Sequence, residues 1–134
     1  MYDINCSLII LYQNSKVLLQ KRTKDAPTLA GYWAFFGGGI EKDETPLEAM
    51  TREAYEELEF RSKSPSFLLE QEFRLEGKSG YMYVYIEHIN LDTTTLVCHE
   101  GERFGWFGID DIESLKMLKH DKEIVYKVFE AISC

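Results

Sequence analysis

Apolar and branched residues dominate the run CSLIILY, Cys6 to Tyr12, which predicts a buried strand. Gln13-Asn14-Ser15-Lys16 supplies turn chemistry before VLLQKR, so the two segments predict a hairpin. Thr23 to Gly31, with Pro27 and Gly31, has no periodicity and predicts a loop that leads through the short extended piece YWAFF into a glycine loop. Further on, Phe67, Leu69, Phe73 and Leu75 fall at even spacing, and after EGKSG comes a second alternating run, YMYVYIEHI. That pattern predicts a second hairpin. FGWFG reads as a short strand, and DDIESLKMLK and KEIVYKVFEAI carry apolar residues at helical spacing.

Between the hairpins, Thr45, Pro46 and Glu48 form a helix N-terminus signature: a hydroxyl cap, proline at the first helical position and a reciprocal acid. At about 100° per residue, Leu47, Met50, Ala54 and Leu58 share a narrow arc and predict the buried face. Strand pair, glycine loop, helix, strand pair, short strand and helices together predict an α+β domain, a mixed sheet covered by helices.

The 134 residues fit one domain, 1–134, with no internal repeat or linker. A net charge of -8 argues against nucleic-acid and membrane partners, because both demand a broad basic surface. Cys6, Cys98 and Cys134 are far apart and form no CxxC pair, which indicates reduced thiols and a cytoplasmic protein. The N-terminus lacks the basic region and cleavage site of a signal peptide, and no segment approaches membrane-spanning length. His88, His99 and His120 lack ligand spacing and receive no ligand role.

The segment from Gly37 to Phe60 sets Glu41, Asp43, Glu44, Glu48, Glu53, Glu56, Glu57 and Glu59 against Lys42 and Arg52. On the helical wheel Glu53, Glu56 and Glu57 form a stripe at the rim of the apolar face, where like charges three and four residues apart repel. A solvated acidic face is one reading; a divalent cation that converts repulsion into binding is the other. Without metal, mutual repulsion should raise the carboxyl pKa values.

The spacing resembles the box of the Nudix hydrolase family, G-x5-E-x7-R-E-U-x-E-E-x-G-U, with U a bulky aliphatic residue. Gly38, Glu44, Arg52, Glu53, Glu56 and Glu57 match in register, with Ala54 and Phe60 at the U positions. GYWAFFGG is similar to the family's approach to the box, and HEGERFGWFGIDDI to its downstream acidic loop. Two positions depart: Glu59 stands where the box has its second glycine, and Phe36 replaces a proline.

The resemblance implies a Nudix fold, an α/β/α sandwich with a mixed β-sheet, and Mg²⁺- or Mn²⁺-dependent hydrolysis of a nucleoside diphosphate linked to another group. It implies Glu53, Glu56, Glu57 and Gly38 as metal ligands, with Glu53 also a candidate base. Glu44 joins the metal shell or acts through water. Arg52 orients carboxylates, or simply pairs with Glu48 or Glu56 along the helix. Glu100, six residues before Trp106, is the candidate base in the acidic loop, with Glu102 as its rival and an ordinary exposed loop glutamate as the other reading.

Candidate substrate contacts are Lys21, Arg22, Phe35 and Asp121. The basic cluster Lys21, Arg22 and Lys24 reads equally well as solvated charge, and Asp121 as a helix N-cap rather than a base reader. Tyr81, Tyr83 and Tyr85 share one strand face and offer stacking rings or ordinary strand packing. The compact chain resembles MutT-like nucleoside triphosphatases, which release a nucleoside monophosphate and pyrophosphate. ADP-ribose, nucleotide-sugar or dinucleoside polyphosphate hydrolysis, and a non-catalytic nucleotide-binding module, are the alternatives. The expected partner is a small nucleotide, acted on by a monomer or homodimer.

Overall fold

The computed structural model describes residues 1–133, so Cys134 lies outside the described residues. Strands β1 (Ile4–Gln13) and β2 (Lys16–Lys21) form the first hairpin, turned by Asn14 and Ser15 at positive φ. Then come β3 (Trp33–Ala34), β4 (Phe36–Gly39) and helix α1 (Pro46–Leu58). The second hairpin is β5 (Ser66–Leu75) and β6 (Lys78–His88), followed by β7 (Arg103–Phe107), a 3₁₀ turn (Ile109–Ser114) and α2 (Lys119–Ile132). Among the described residues no helix is long and apolar enough to cross a membrane.

The sheet is mixed, with β1 parallel to β6 from Ile4↔Gly80 to Tyr12↔His88 and antiparallel to β2 and β4. Both faces of β1 are covered, which is why its sequence runs apolar instead of alternating. Ile9 and Leu11 pack with Leu18, Phe36, Met50, Ala54 and Leu58 beneath α1. Ile10 packs with Val17, Leu19, Val84, Val125 and Val128 beneath α2 on the other side. The architecture is the expected helix, sheet, helix sandwich.

The hairpin strands β1 and β2 pair only near their turn, at Tyr12↔Val17 and Gln13↔Lys16, and then part. The widening gap is filled by the next segment, which pairs with β2 as β3 (Gln20↔Ala34) and crosses at Phe35 to pair with β1 as β4 (Leu8↔Gly37). The expected glycine loop is therefore a strand. Glycine is required at residue 37, where φ is +136° and a Cβ would lie 2.2 Å from the Ser7 carbonyl oxygen.

Thr45 caps α1 reciprocally with Glu48: the Glu48 N–H donates to Oγ1 at 3.1 Å and the Thr45 N–H to the Glu48 carboxylate at 2.8 Å. The fully buried Ser7 hydroxyl donates to the Pro46 carbonyl at 2.6 Å, which pins the first turn of α1 to β1. Met50, Ala54 and Leu58 are buried as the wheel predicts, but Leu47 is exposed because Ala49 takes the core position in the first turn. DDIESLKMLK makes only a short 3₁₀ turn instead of an α-helix, and the cap residue of α2 is Leu118 instead of Asp121. Asp121 sits three residues on, still in the first turn of α2, and is buried.

Helix α1 ends as a box glycine would make it end: Glu59 is left-handed, with φ 54° and ψ 29°. An L-residue there carries on the order of 1 kcal/mol of strain. The Glu59 carboxylate pairs with His99, but both side chains are about half exposed (48% and 49%), so the pair offsets only a small part of that strain. Glu59→Gly is expected to raise the thermal midpoint by about 2–5 °C. A calorimetric scan showing an unchanged or lower midpoint would count against strain at this cap.

Candidate active site

Glu57, in the last turn of α1, is 2% exposed and faces the crossing between β3 and β4. The Gly37 N–H donates to its carboxylate, 3.2 Å from Oε2 and 3.4 Å from Oε1, and Gln20 Nε2 reaches Oε1 at 3.4 Å. One helical turn earlier, Glu53 lies flat against Gly38, where an added Cβ would sit 2.8 Å from its carboxyl group. Glycine at 38 thus leaves room for an acid rather than for a bend.

The third acid arrives from the loop before β7. The Val97 and His99 N–H groups donate to the Leu58 and Glu57 carbonyls at 3.1 and 2.9 Å, filling acceptors left open at the end of α1. The Glu102 N–H donates to the Lys21 carbonyl at 2.7 Å. Glu100 is held between these anchors. One carboxylate oxygen each from Glu53, Glu57 and Glu100 lies within 4.8 Å of the others. An all-oxygen set of this size fits a hard divalent cation such as Mg²⁺ or Mn²⁺.

Arg52 organises the remaining acids. Its Nε and Nη2 grip Glu44 in a fork at 2.8 and 3.0 Å, Nη1 donates to Glu53 Oε1 at 2.7 Å, and Nη2 also donates to the Gly39 carbonyl at 3.0 Å. It orients carboxylates, as the resemblance implies, and does not pair with Glu48. The guanidinium, with help from the Glu41 N–H, holds the Glu44 carboxyl down at about 2. Glu44 therefore sits on Arg52 and outside the three-acid group. Glu56 points outward, half exposed, 3.5 Å from Arg52 Nη1, and is also outside that group.

The clustered acids were expected to have raised pKa values through mutual repulsion, yet the larger cause is burial. Removal from water pushes Glu57 up to about 9; Glu53 and Glu100 add to the rise, and the Gly37 N–H opposes it. A bound cation reverses this balance by favouring the ionised form.

Beside the acids opens a cavity of about 220 Å³. Phe35, Cys6, Met82 and Phe73 give it apolar walls, and Gln20, Glu100, His120 and Asp121 add polar groups to its lining. His120 Nε2 lies 3.1 Å from Asp121 Oδ1, and its ring stacks on Phe73 with centroids 5.9 Å apart. Phe73 can lie there because its cross-strand partner is Gly80, where any Cβ would enter the ring at 2.2 Å. Arg22 lines the same cavity with Nε bound to the Thr28 carbonyl, whereas Lys21 turns to Glu102 at 3.6 Å. A larger hollow, about 490 Å³, lies between the segment after α1 and Thr93–Thr95 and contains none of the three acids.

The tyrosines do not contribute a stacking ring to the 220 Å³ cavity. Met82 and Val84 face the α2 side, which places Tyr81, Tyr83 and Tyr85 on the other face of β6, where Tyr85 packs against the α1 core. Sequence reasoning missed Gln20, Phe73 and His120 as site residues. The signal available for Gln20 was a lone uncharged polar residue directly after the apolar run Val17–Leu18–Leu19; Phe73 and His120 carry none, because a long-range contact assembles them.

Metal-free stability should depend on Glu57. The unfolded chain releases this proton near 4.5 and the folded chain only near 9, so between those values the native state holds the extra proton and stability falls as pH rises. The thermal midpoint of the metal-free protein is expected to drop from about pH 5 to about pH 9, more steeply than in Glu57→Gln, and saturating Mg²⁺ should flatten the slope. Parallel slopes for the two proteins would contradict the raised value.

Comparison with known proteins agrees with this geometry. The NUDIX domain family matches residues 1–129. A CTP pyrophosphohydrolase of Escherichia coli (strain K12) is 28% identical over 97 residues, 72% of this chain and 70% of that protein. The crystal structure of a MutT NUDIX hydrolase from Burkholderia pseudomallei superimposes with a TM-score of 0.79 at 25% identity, covering 93% of this chain and 97% of that one. The NUDIX domain of Shewanella oneidensis NrtR, solved with ADP ribose, shares the fold with a TM-score of 0.80 at 16% identity, over 99% and 90% of the two chains. With two box acids, Glu53 and Glu57, meeting Glu100 near the end of α1 and the family matched over nearly its whole length, the chain belongs to the NUDIX family of hydrolases that cleave phosphoric anhydride bonds.

Proposed function

We propose that the protein is a Mg²⁺-dependent nucleoside triphosphate pyrophosphohydrolase that releases a nucleoside monophosphate and pyrophosphate. The observation that carries this reading is the meeting of Glu53, Glu57 and Glu100 beside a cavity that Glu100 lines together with the buried carboxylate of Asp121. Apolar walls suit the faces of a base, and Asp121 offers an acceptor for an amino or imino proton on its edge. The name of the Escherichia coli relative, a CTP pyrophosphohydrolase, supports the same class of substrate.

Glu53, Glu57 and Glu100 would hold the ion, with the Gly38 carbonyl as a further ligand. A bound divalent cation supplies charge neutralisation on the phosphate oxygens and a water acidic enough to attack phosphorus. Glu53 has one oxygen committed to Arg52, and Glu57 is enclosed by Gly37 and Gln20. The Glu100 carboxylate accepts no hydrogen bond from the protein among the described residues, so the oxygen it does not turn to the ion would be free to take the proton of the attacking water. Arg52 keeps Glu53 and Glu44 in place and touches no substrate.

Glu57→Gln is expected to abolish Mg²⁺-dependent turnover while the fold is kept, and Glu100→Gln to lower kcat by about 10²–10⁴-fold. A screen of nucleotides with Mg²⁺, Mn²⁺ and EDTA, measuring both phosphate and pyrophosphate, tests the reaction. Metal-dependent release of pyrophosphate from a triphosphate supports it. Hydrolysis of ADP-ribose, nucleotide sugars or dinucleoside polyphosphates alone would replace it with the other enzyme reading, and nucleotide binding without turnover would leave a binding module.

A further inference from the structure

Gln20 is a polar group at the site for which hydrolysis as described has no use. It is the penultimate residue of β2, is 5% exposed, and lies where the chain crosses from β3 to β4. Its Nε2 donates to the Phe35 carbonyl at 3.0 Å and reaches Glu57 Oε1 at 3.4 Å. Its Oε1 is buried with no hydrogen-bond partner among the described residues. Turning the amide over does not help, because Oε1 would then face the Phe35 carbonyl, another acceptor, and the bond that Nε2 makes there would be lost.

A buried amide oxygen without a donor is costly, and Met, of similar shape, would avoid that cost in a strand whose preceding residues are Val17, Leu18 and Leu19. The backbone beside Glu100 is pressed against the same oxygen: a Cβ on Gly101 would lie 2.6 Å from Gln20 Oε1 and 2.9 Å from the Lys21 carbonyl oxygen, at a φ of +75°. The Gln20 amide thus stands between Glu57 and the loop that carries Glu100, two of the three clustered acids. Its unfilled need is for a donor, and a carboxylate site that binds a hard divalent ion receives donors with it, since Mg²⁺ dehydrates reluctantly and keeps several waters.

We propose that Gln20 is a positioning residue for a hydrated divalent cation: Nε2 sets the orientation of Glu57, and Oε1 accepts a hydrogen bond from the hydration water that accompanies the ion. This inference rests on the cation reading of the site and is independent of which nucleotide is cleaved. It makes the apo site incomplete by one hydrogen bond, which ion binding completes.

The test uses Mg²⁺ alone, without nucleotide. Calorimetric titration of the metal-free wild type and of Gln20→Met should show affinity weakened about tenfold or more in the variant, while its metal-free thermal midpoint stays within a few degrees of wild type. In the wild type, the Gln20 side-chain amide NMR signals, assigned by their loss in the variant, should shift as Mg²⁺ saturates the site. Wild-type Mg²⁺ affinity in a folded Gln20→Met, or Gln20 signals unmoved at saturation, overturns the role of Gln20 and leaves the cation site standing. No Mg²⁺ binding by the wild type overturns the cation reading itself, and this role with it. Should Gln20→Met fail to fold, the wild-type NMR titration decides, with the amide assigned through its contact to Glu57.

Discussion

The burial of the Glu57 carboxylate against the backbone of Gly37 is the constraint that the rest of the structure serves. A carboxylate removed from water needs donors or a counter-charge, and here it has one N–H, one distant amide and two further acids nearby. The site is therefore unsatisfied as a purely protein arrangement, retaining a proton or taking a cation. The surroundings hold it in that state. Ser7 ties the start of α1 to β1, the capping box defines its first turn, and two cores clamp the sheet from both sides.

Arg52 divides the acids of α1 and the segment before it into two populations. Glu44, Glu41 and Glu56 lie around its guanidinium, which neutralises part of their charge. Glu53 is shared, and Glu57 and Glu100 are left without a cation of their own. A single fork so placed neutralises part of the charge on those acids and leaves the surplus negative charge on the three that cluster.

The site lies where β1 and β2 part, and that parting is a matter of packing. Inserting β3 and β4 between the two strands brings Gly37 and Gly38 against the last turns of α1, and it leaves Gln20 facing the Phe35 carbonyl at the crossing. The loop bearing Glu100 is then seated by backbone hydrogen bonds on the end of α1 and on Lys21, with the Glu59–His99 and Lys21–Glu102 pairs beside them. Glu59 keeps the left-handed turn of the box at a cost in strain, so the helix end that receives this loop is preserved despite the missing glycine.

Several features were legible in the chain itself because they depend on neighbours three or four residues away. The capping box at Thr45, the buried face of Met50, Ala54 and Leu58, the two hairpins and the placing of Glu53 beside Glu57 follow from local periodicity and turn chemistry. The spacing of the box acids also carries the family. Other features depended on which distant segment came to rest against which: glycines paired as a strand, Leu47 left outside, Asp121 buried, and Glu56 and Glu44 drawn to Arg52 while Glu100 joined Glu53 and Glu57. Local sequence determines the helix and the acids it carries. Burial and long-range hydrogen bonding, which only the packed chain possesses, decide which of those acids share a site, because an oxygen's partners are set by distance in space and not along the chain.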